Sequence, residues 1–143
     1  VVKISPDISN NQATQISEIL LKHEIKAIIV SNTTEGNREK LLNESRHQKG
    51  GLSGKPLESR SNQLINIFYK LLKNKITIIG VGGVDSGKSA YDKFLAGANF
   101  IQLYTGMVYQ GPNIVAKIKK ELKELLMNKG VKNFQDIVGE KKN

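Results

Sequence analysis

Ile76-Thr77-Ile78-Ile79-Gly80-Val81-Gly82-Gly83-Val84-Asp85-Ser86-Gly87-Lys88-Ser89 reads as a strand, a glycine turn and the start of a helix. Residues 76–81 form a continuous, β-branched run, the pattern of a strand covered on both faces of a parallel sheet. Ser86 can cap a short helix carrying Tyr91, Phe94 and Leu95, which Ala96-Gly97-Ala98 would end. The same alternation extends in both directions. Upstream, residues 1–4 and 27–30 are predicted strands. Ser9 with Gln12 makes a capping box for a helix placing Ala13, Ile16, Ile19 and Leu20 on one face. Leu64, Ile67, Phe68, Leu71 and Leu72 predict a second helix over 57–73. Downstream, residues 100–104 are a fourth strand, and Ile114, Ile118, Leu122, Leu125 and Leu126 mark a long helix stopping near Gly130. Residues 131–138 add one short helix before a charged, frayed end.

The sum is a single α/β unit, 1–143, of four βα repeats without an internal linker. Strict βα alternation implies a parallel sheet with right-handed crossovers. Two architectures satisfy it: an open doubly wound sheet with helices on both faces, or part of a (βα)8 TIM barrel with helices on one side. A whole barrel takes about 250 residues, so four units in 143 residues correspond to half of one. A strand order of 1-2-3-4 favours the half barrel, whereas a reversal favours the doubly wound sheet.

Composition narrows the function classes. With no Cys, the 143 residues offer no disulfide, thiolate metal ligand or cysteine nucleophile, which fits a reducing compartment. No apolar run approaches the roughly 20 residues that span a bilayer. The balance of 22 Lys+Arg against 13 Asp+Glu gives +9, a charge that could serve nucleic acid. Its distribution argues otherwise. Arg38, Arg46 and Arg60 are the only arginines, and the lysines after Lys117 are interleaved with Glu121, Glu124, Asp136 and Glu140, as on a solvated face. With no Trp there is also little material for base stacking, so no nucleic-acid partner is expected.

In either architecture ligands bind at the carboxyl ends of the strands. Those ends carry Ser5, then Ser31-Asn32-Thr33-Thr34, Gly80-Val81-Gly82-Gly83 and Tyr104-Thr105-Gly106. They offer small polar groups and bare amides rather than a nucleophile with its base. The two glycine-rich ends, each followed by a helix, can present N–H groups to a phosphate with help from the helix dipole. Residues 31–56 form an unusually long loop, and such loops are usually functional. Gly82 to Ser89 also matches G-x-x-x-x-G-K-[ST], the phosphate loop of nucleotide hydrolases. Such enzymes need a second strand ending in Asp for Mg²⁺, and the other strands end on Ser5, Ser31 and Tyr104. A nucleotidase or another phosphate-binding barrel enzyme is therefore the alternative reading. His23, behind a helix, and His47, in the loop beside Arg46, Gln48 and Lys49, show no metal-ligand spacing, and no metal site is expected.

Several blocks together carry a resemblance: Val2-Lys3-Ile4-Ser5-Pro6-Asp7, Ser31-Asn32-Thr33-Thr34, Gly50-Gly51-Leu52-Ser53-Gly54-Lys55-Pro56-Leu57, Ile79-Gly80-Val81-Gly82-Gly83-Val84 and Tyr104-Thr105-Gly106-Met107-Val108-Tyr109-Gln110-Gly111-Pro112. In this order and spacing they resemble the C-terminal half of dihydroorotate dehydrogenase, most closely the class 2, quinone-linked enzymes. The resemblance implies an FMN-dependent (βα)8 barrel that oxidises dihydroorotate to orotate in pyrimidine (UMP) biosynthesis. It implies that Lys3, Ser31, Gly54, Gly83, Tyr104 and Thr105 contact FMN, and that Asn32 and Thr33 bind the substrate. Lys3 would stabilise negative charge on the flavin's N1/O2 edge rather than move a proton, instead of serving as a strand-end salt bridge. Backbone amides of Gly83 and Thr105 would hold the phosphate.

Ser31 stands where the family usually has Thr, Thr105 where Ser is common, and Ser5 where Ala is frequent. None of these exchanges removes a group the roles need. The catalytic base, a Ser in class 2 and a Cys in class 1, belongs to the first half of the barrel. The remaining partner is therefore the N-terminal half of the same barrel. The isolated segment is expected to expose strand edges, to associate or aggregate, and to lack dehydrogenase activity. The full-length class 2 enzyme would be a peripheral membrane protein on the cytoplasmic face of the inner membrane, attached through N-terminal helices outside this sequence.

Overall fold

The computed structural model describes residues 1–36, 38, 39 and 41–140; the last residues of the charged end, 141–143, lie outside the described residues. Four strands, β1 (Val2–Ile4), β2 (Ala27–Val30), β3 (Thr77–Val81) and β4 (Phe100–Gln102), form one sheet in the order β1-β2-β3-β4. All three pairings are parallel. The order does not reverse, so the doubly wound alternative is excluded.

Among the described residues five α-helices connect and follow the strands: α1 (Asn10–Lys22), α2 (Glu58–Leu72), α3 (Gly87–Ala96), α4 (Thr105–Gln110) and α5 (Ile114–Asn128). α1 packs on α2, α2 on α3, and α3 on α5, a continuous layer on one side of the sheet. Register shows what this one-sided cover does. Ile4, Val30, Gly80 and Ile101 form one cross-strand row, with Ile4 and Val30 buried beneath the helices. Lys3, Ile29, Ile79 and Phe100 form the row on the opposite face, where none of the described helices lies and Phe100 is 62% exposed. The continuous apolar runs are thus those of strands buried on one face within this segment and open on the other. β1 and β4 each pair on one side only.

The main core joins Ile28, Val30 and Ile78 of the sheet to Leu64, Ile65, Phe68 and Leu72 of α2. Full burial of a side chain such as Phe68 contributes about 1.5–3 kcal/mol. A second cluster places the 3-10 turn Phe134–Ile137 against α3, with Phe134 meeting Phe94 edge-on at 4.3 Å between ring centres. This is the short helix expected within 131–138, tightened to a single turn.

Local signals explain the helix starts. Ser9 and Gln12 form the reciprocal capping box, with Ser9 N–H donating to Gln12 Oε1 at 2.8 Å. Ser86 caps α3 in the same manner through Ser89. Two expectations need correction. Ile19 is 57% exposed rather than in the core, and Ser17 takes its place, its hydroxyl donating to the Ala13 carbonyl at 2.8 Å. At 100° per residue Ile19 lies about 120° from Ala13, whereas Ser17 and Leu20 flank it closely. The helix after β4 also begins earlier than the apolar spacing indicated, as the separate short helix α4.

Candidate active site

A cavity of about 820 Å³ opens at the carboxyl ends of the strands. Its lining includes Lys3 from β1, Ser31, Asn32 and Thr33 behind β2, Gly54 of the long loop, Gly83 behind β3, and Tyr104 and Thr105 at α4. Every binding residue expected from the sequence therefore faces one space.

Backbone pairing sets each element in place. The Val30–Ser31 peptide is cis. Asn32 N–H donates to the Ile4 carbonyl at 2.8 Å, extending the β1–β2 ladder past its end. Ser31 N–H donates to the Val81 carbonyl at 3.2 Å, which does the same for β2 and β3. Ser31 is 3% exposed and its hydroxyl donates to the Asn32 carbonyl, while Asn32 Oδ1 accepts from Thr33 N–H at 2.9 Å. Lys3 lies on the helix-free face of the sheet, and it joins no salt bridge among the described residues.

The long loop is folded back onto this cleft. Thr34 and Leu52 form an isolated antiparallel bridge, with amide-to-carbonyl distances of 3.1 and 2.7 Å. Asp7 anchors the loop's start by accepting from the Thr34 hydroxyl and from Glu35 N–H. Arg38 gathers its middle, donating to the carbonyls of Arg46, Gln48 and Gly50. Gly51 passes so close to Thr33 that a Cβ would stand 1.9 Å from its hydroxyl oxygen. At the loop's end, Ser53 and Thr105 hydroxyls are 2.9 Å apart, and a Cβ on Gly54 would reach within 2.9 Å of Thr105 Cγ2.

The glycine turn after β3 and the start of α4 leave amides free at the cleft. Among the described residues no protein acceptor takes the amides of Gly83, Val84, Thr105 or Gly106. Such amides facing a cavity want an external acceptor. Lys55 lines the same cleft, its ammonium 2.7 Å from Glu58 and 3.5 Å from Asp85. The hydrogen bond to Glu58 holds Lys55 above its ordinary pKa.

The first amide of α3 is already taken by a protein acceptor. Gly87 N–H donates to Glu121 Oε2 at 2.6 Å. The same geometry removes the nucleotidase reading. Ser89 Oγ accepts from the amides of Asp85 and Ser86, each at 3.0 Å, and Lys88 pairs with Asp92 one turn along its own helix. Gly87 is a packing glycine: a Cβ there would sit 2.4 Å from Glu121 Cβ. His23 caps the end of α1, and His47 accepts from Arg46 Nε, so neither reaches the cleft.

One group that the sequence reading missed lies directly beneath the turn. Lys93 is fully buried, and its ammonium donates to Ser61 Oγ at 3.0 Å and Asn62 Oδ1 at 2.9 Å. Burial pushes its pKa down to about 8. A signal was present: Lys93 lies three residues after Ala90 and next to Phe94, on the buried stripe of α3.

The family model described as Dihydroorotate dehydrogenase matches residues 1–126. The chain belongs to the dihydroorotate dehydrogenase family. A dihydroorotate dehydrogenase (quinone) of Buchnera aphidicola is 45% identical over 122 residues, covering 85% of this chain and 36% of that protein. The mitochondrial dihydroorotate dehydrogenase (quinone) of Mus musculus is 41% identical over 139 residues, covering 97% of this chain and 35% of the relative. Among solved structures, ligand-free DHODH from Eimeria tenella superposes with a TM-score of 0.93 at 36% identity, covering 99% of this chain and 39% of that one. The same enzyme in complex with ferulenol gives a TM-score of 0.92. The fold is therefore that of four βα units of a (βα)8 barrel. The chain spans a little over a third of the length of these relatives.

Proposed function

We propose that residues 1–143 form the C-terminal half of an FMN-binding barrel that oxidises dihydroorotate to orotate with a quinone as electron acceptor, a step of pyrimidine biosynthesis. The observation that carries this reading is the convergence of Lys3, Asn32, Thr33, Gly54, Gly83 and Thr105 on one cleft whose Gly83 and Thr105 amides have no protein acceptor. Those amides suit a doubly charged phosphate, and the glycine at position 54 lets the long loop close directly on Thr105 at the cleft wall. Bound FMN would supply the hydride acceptor of the reaction.

Lys3 presents an ammonium from β1 to the cleft, where it would stabilise negative charge developing on a flavin edge. The Asn32 amide and Thr33 hydroxyl match the mixed donors and acceptors of an orotate ring. Ser31 and Tyr104 complete the flavin wall, Ser31 from beneath and Tyr104 from the exposed rim. Met107, Val108 and Tyr109 add exposed apolar surface beside that rim, which suits an apolar electron acceptor such as a quinone.

The proton that leaves the carbon next to the hydride must go to a base. Around this cleft Ser53 is bonded to Thr105, Ser31 is buried on the Asn32 carbonyl, and Asp85 is paired with Lys55. None of these three is poised as a base; the family resemblance assigns that group to the N-terminal half of the barrel, which would also pair with β1 and β4. None of the described helices is long and apolar enough to cross a membrane; the family resemblance assigns attachment to the inner membrane to N-terminal helices of the full-length enzyme.

Titration of the full-length protein with FMN, ATP and RNA, followed by anaerobic addition of dihydroorotate, tests the reading. It predicts saturable FMN binding and substrate-dependent flavin bleaching, and no comparable binding of ATP or RNA. Binding of ATP with no FMN response would overturn it.

A further inference from the structure

Lys93 places an ammonium at 0% exposure between α2 and α3, held by two neutral oxygens, Ser61 Oγ and Asn62 Oδ1. Glu58 on α2 and Asp92 on α3 are the carboxylates that favour its charge, and neither is hydrogen-bonded to it. Burying an ammonium this way costs stability that an apolar side chain of the same shape would not. The packing itself gives no reason for a cation, because its stem only fills the gap above Gly80, whose ideal Cβ would lie 3.2 Å from Lys93 Cδ.

The hydrogen bonds lead toward the cleft. An ammonium has no acceptor, so Ser61 must accept from Lys93 and turn its single proton elsewhere. That proton goes to the Val81 carbonyl at 2.6 Å. Val81 is the last residue of β3, and its carbonyl also accepts from Ser31 N–H. Gly82 and Gly83 follow at φ +115° and +76°. One carbonyl thus joins the end of β2, the start of the glycine turn and the buried lysine.

We propose that Lys93 is a positioning residue for the flavin phosphate, acting through Ser61 and the Val81 carbonyl to fix the Gly82–Gly83 turn whose amides receive that phosphate. The proposal rests on the reading of this turn as a phosphate cradle. Without the ammonium, Ser61 regains rotational freedom and the carbonyl loses a charge-oriented donor, so the turn loosens where the phosphate must be met by preset amides.

FMN and riboflavin differ only in the phosphate, and their affinities for the full-length protein separate this role from a merely structural one. In Lys93→Met, which keeps the stem and removes the charge, FMN affinity is expected to fall by about tenfold, the order of one hydrogen bond to a charged group, while riboflavin affinity is unchanged. Ser61→Ala, which leaves Lys93 bonded to Asn62, is expected to give the same phosphate-specific loss, and it decides the matter if Lys93→Met does not fold. An equal loss for both flavins, or no loss for either, overturns the positioning role. Equal affinity of the unmodified protein for the two flavins overturns the cradle reading, and this proposal with it.

Discussion

Gly83→Ala is the substitution whose consequence follows most directly from coordinates. Gly83 sits at φ +76°, a region that costs an L-residue about 1–2 kcal/mol. Its ideal Cβ would stand 2.4 Å from Glu58 Cβ and 2.8 Å from Glu58 Cα, which is backbone and cannot swing aside. Overpacking of this kind typically costs about 1–3 kcal/mol, for a total of about 2–5 kcal/mol. Gly130, past the end of α5, is the internal control: φ is +67° and nothing lies within 4 Å of its Cβ, so Gly130→Ala carries only the backbone cost of about 1–2 kcal/mol. Urea unfolding of both full-length variants measures the difference, and flavin absorbance of the purified proteins reports occupancy. Gly83→Ala is expected to be the less stable and to lose FMN, whereas Gly130→Ala keeps it. If the two variants unfold together and retain FMN equally, the steric argument for the turn is wrong.

Lys3→Ala should slow dihydroorotate-dependent flavin reduction roughly 10²-fold, whereas Lys22→Ala, the same charge change at the end of α1, should leave it within about twofold; stopped-flow bleaching compares them. Lys93 predicts a pH dependence. Its pKa is lowered from 10.5 to about 8, so between those values the folded protein has released a proton that the unfolded chain keeps, and stability contributed by this group rises with pH by about 3 kcal/mol. Urea unfolding should therefore show the unmodified protein gaining stability relative to Lys93→Met between pH 8 and 10.5, and a difference that stays constant over that range would refute the burial of a charge. Glu121→Ala removes the acceptor of the first α3 amide and should cost about 1–2 kcal/mol in thermal or urea unfolding without weakening FMN, which separates this helix start from the phosphate cradle.

The four strands and the helices that cover them were legible because their apolar runs are long for their elements, and because α1 and α3 carry capping boxes and α5 stops near a glycine. The exceptions share a cause. Thr105-Gly106-Met107-Val108-Tyr109-Gln110 has no apolar stripe and contains a glycine, so its single short helix has no periodic signature. In α1 a serine, not an isoleucine, faces the core, because Ser17 satisfies its hydroxyl on the Ala13 carbonyl and can be buried without penalty. The cleft-lining positions were legible through motif order, and the structure explains why they meet: they are strand ends of one parallel sheet and the loops that follow them. What holds them was not legible. Asp7 reaches Thr34 and Glu35 across 27 and 28 residues, and Lys93 reaches Ser61 across 32. Pairings at that separation leave no periodic trace in the chain.

The central claim is that the strand ends of this segment hold the phosphate of FMN and the ring of orotate. A crystal structure of the full-length protein with FMN and orotate tests it most directly. The account predicts phosphate oxygens within hydrogen-bond distance of the Gly83 and Thr105 amides, the Lys3 ammonium against the flavin ring, and Asn32 and Thr33 on orotate. A phosphate bound instead at the Gly87–Ser89 start of α3, or orotate lying away from Asn32 and Thr33, would contradict it.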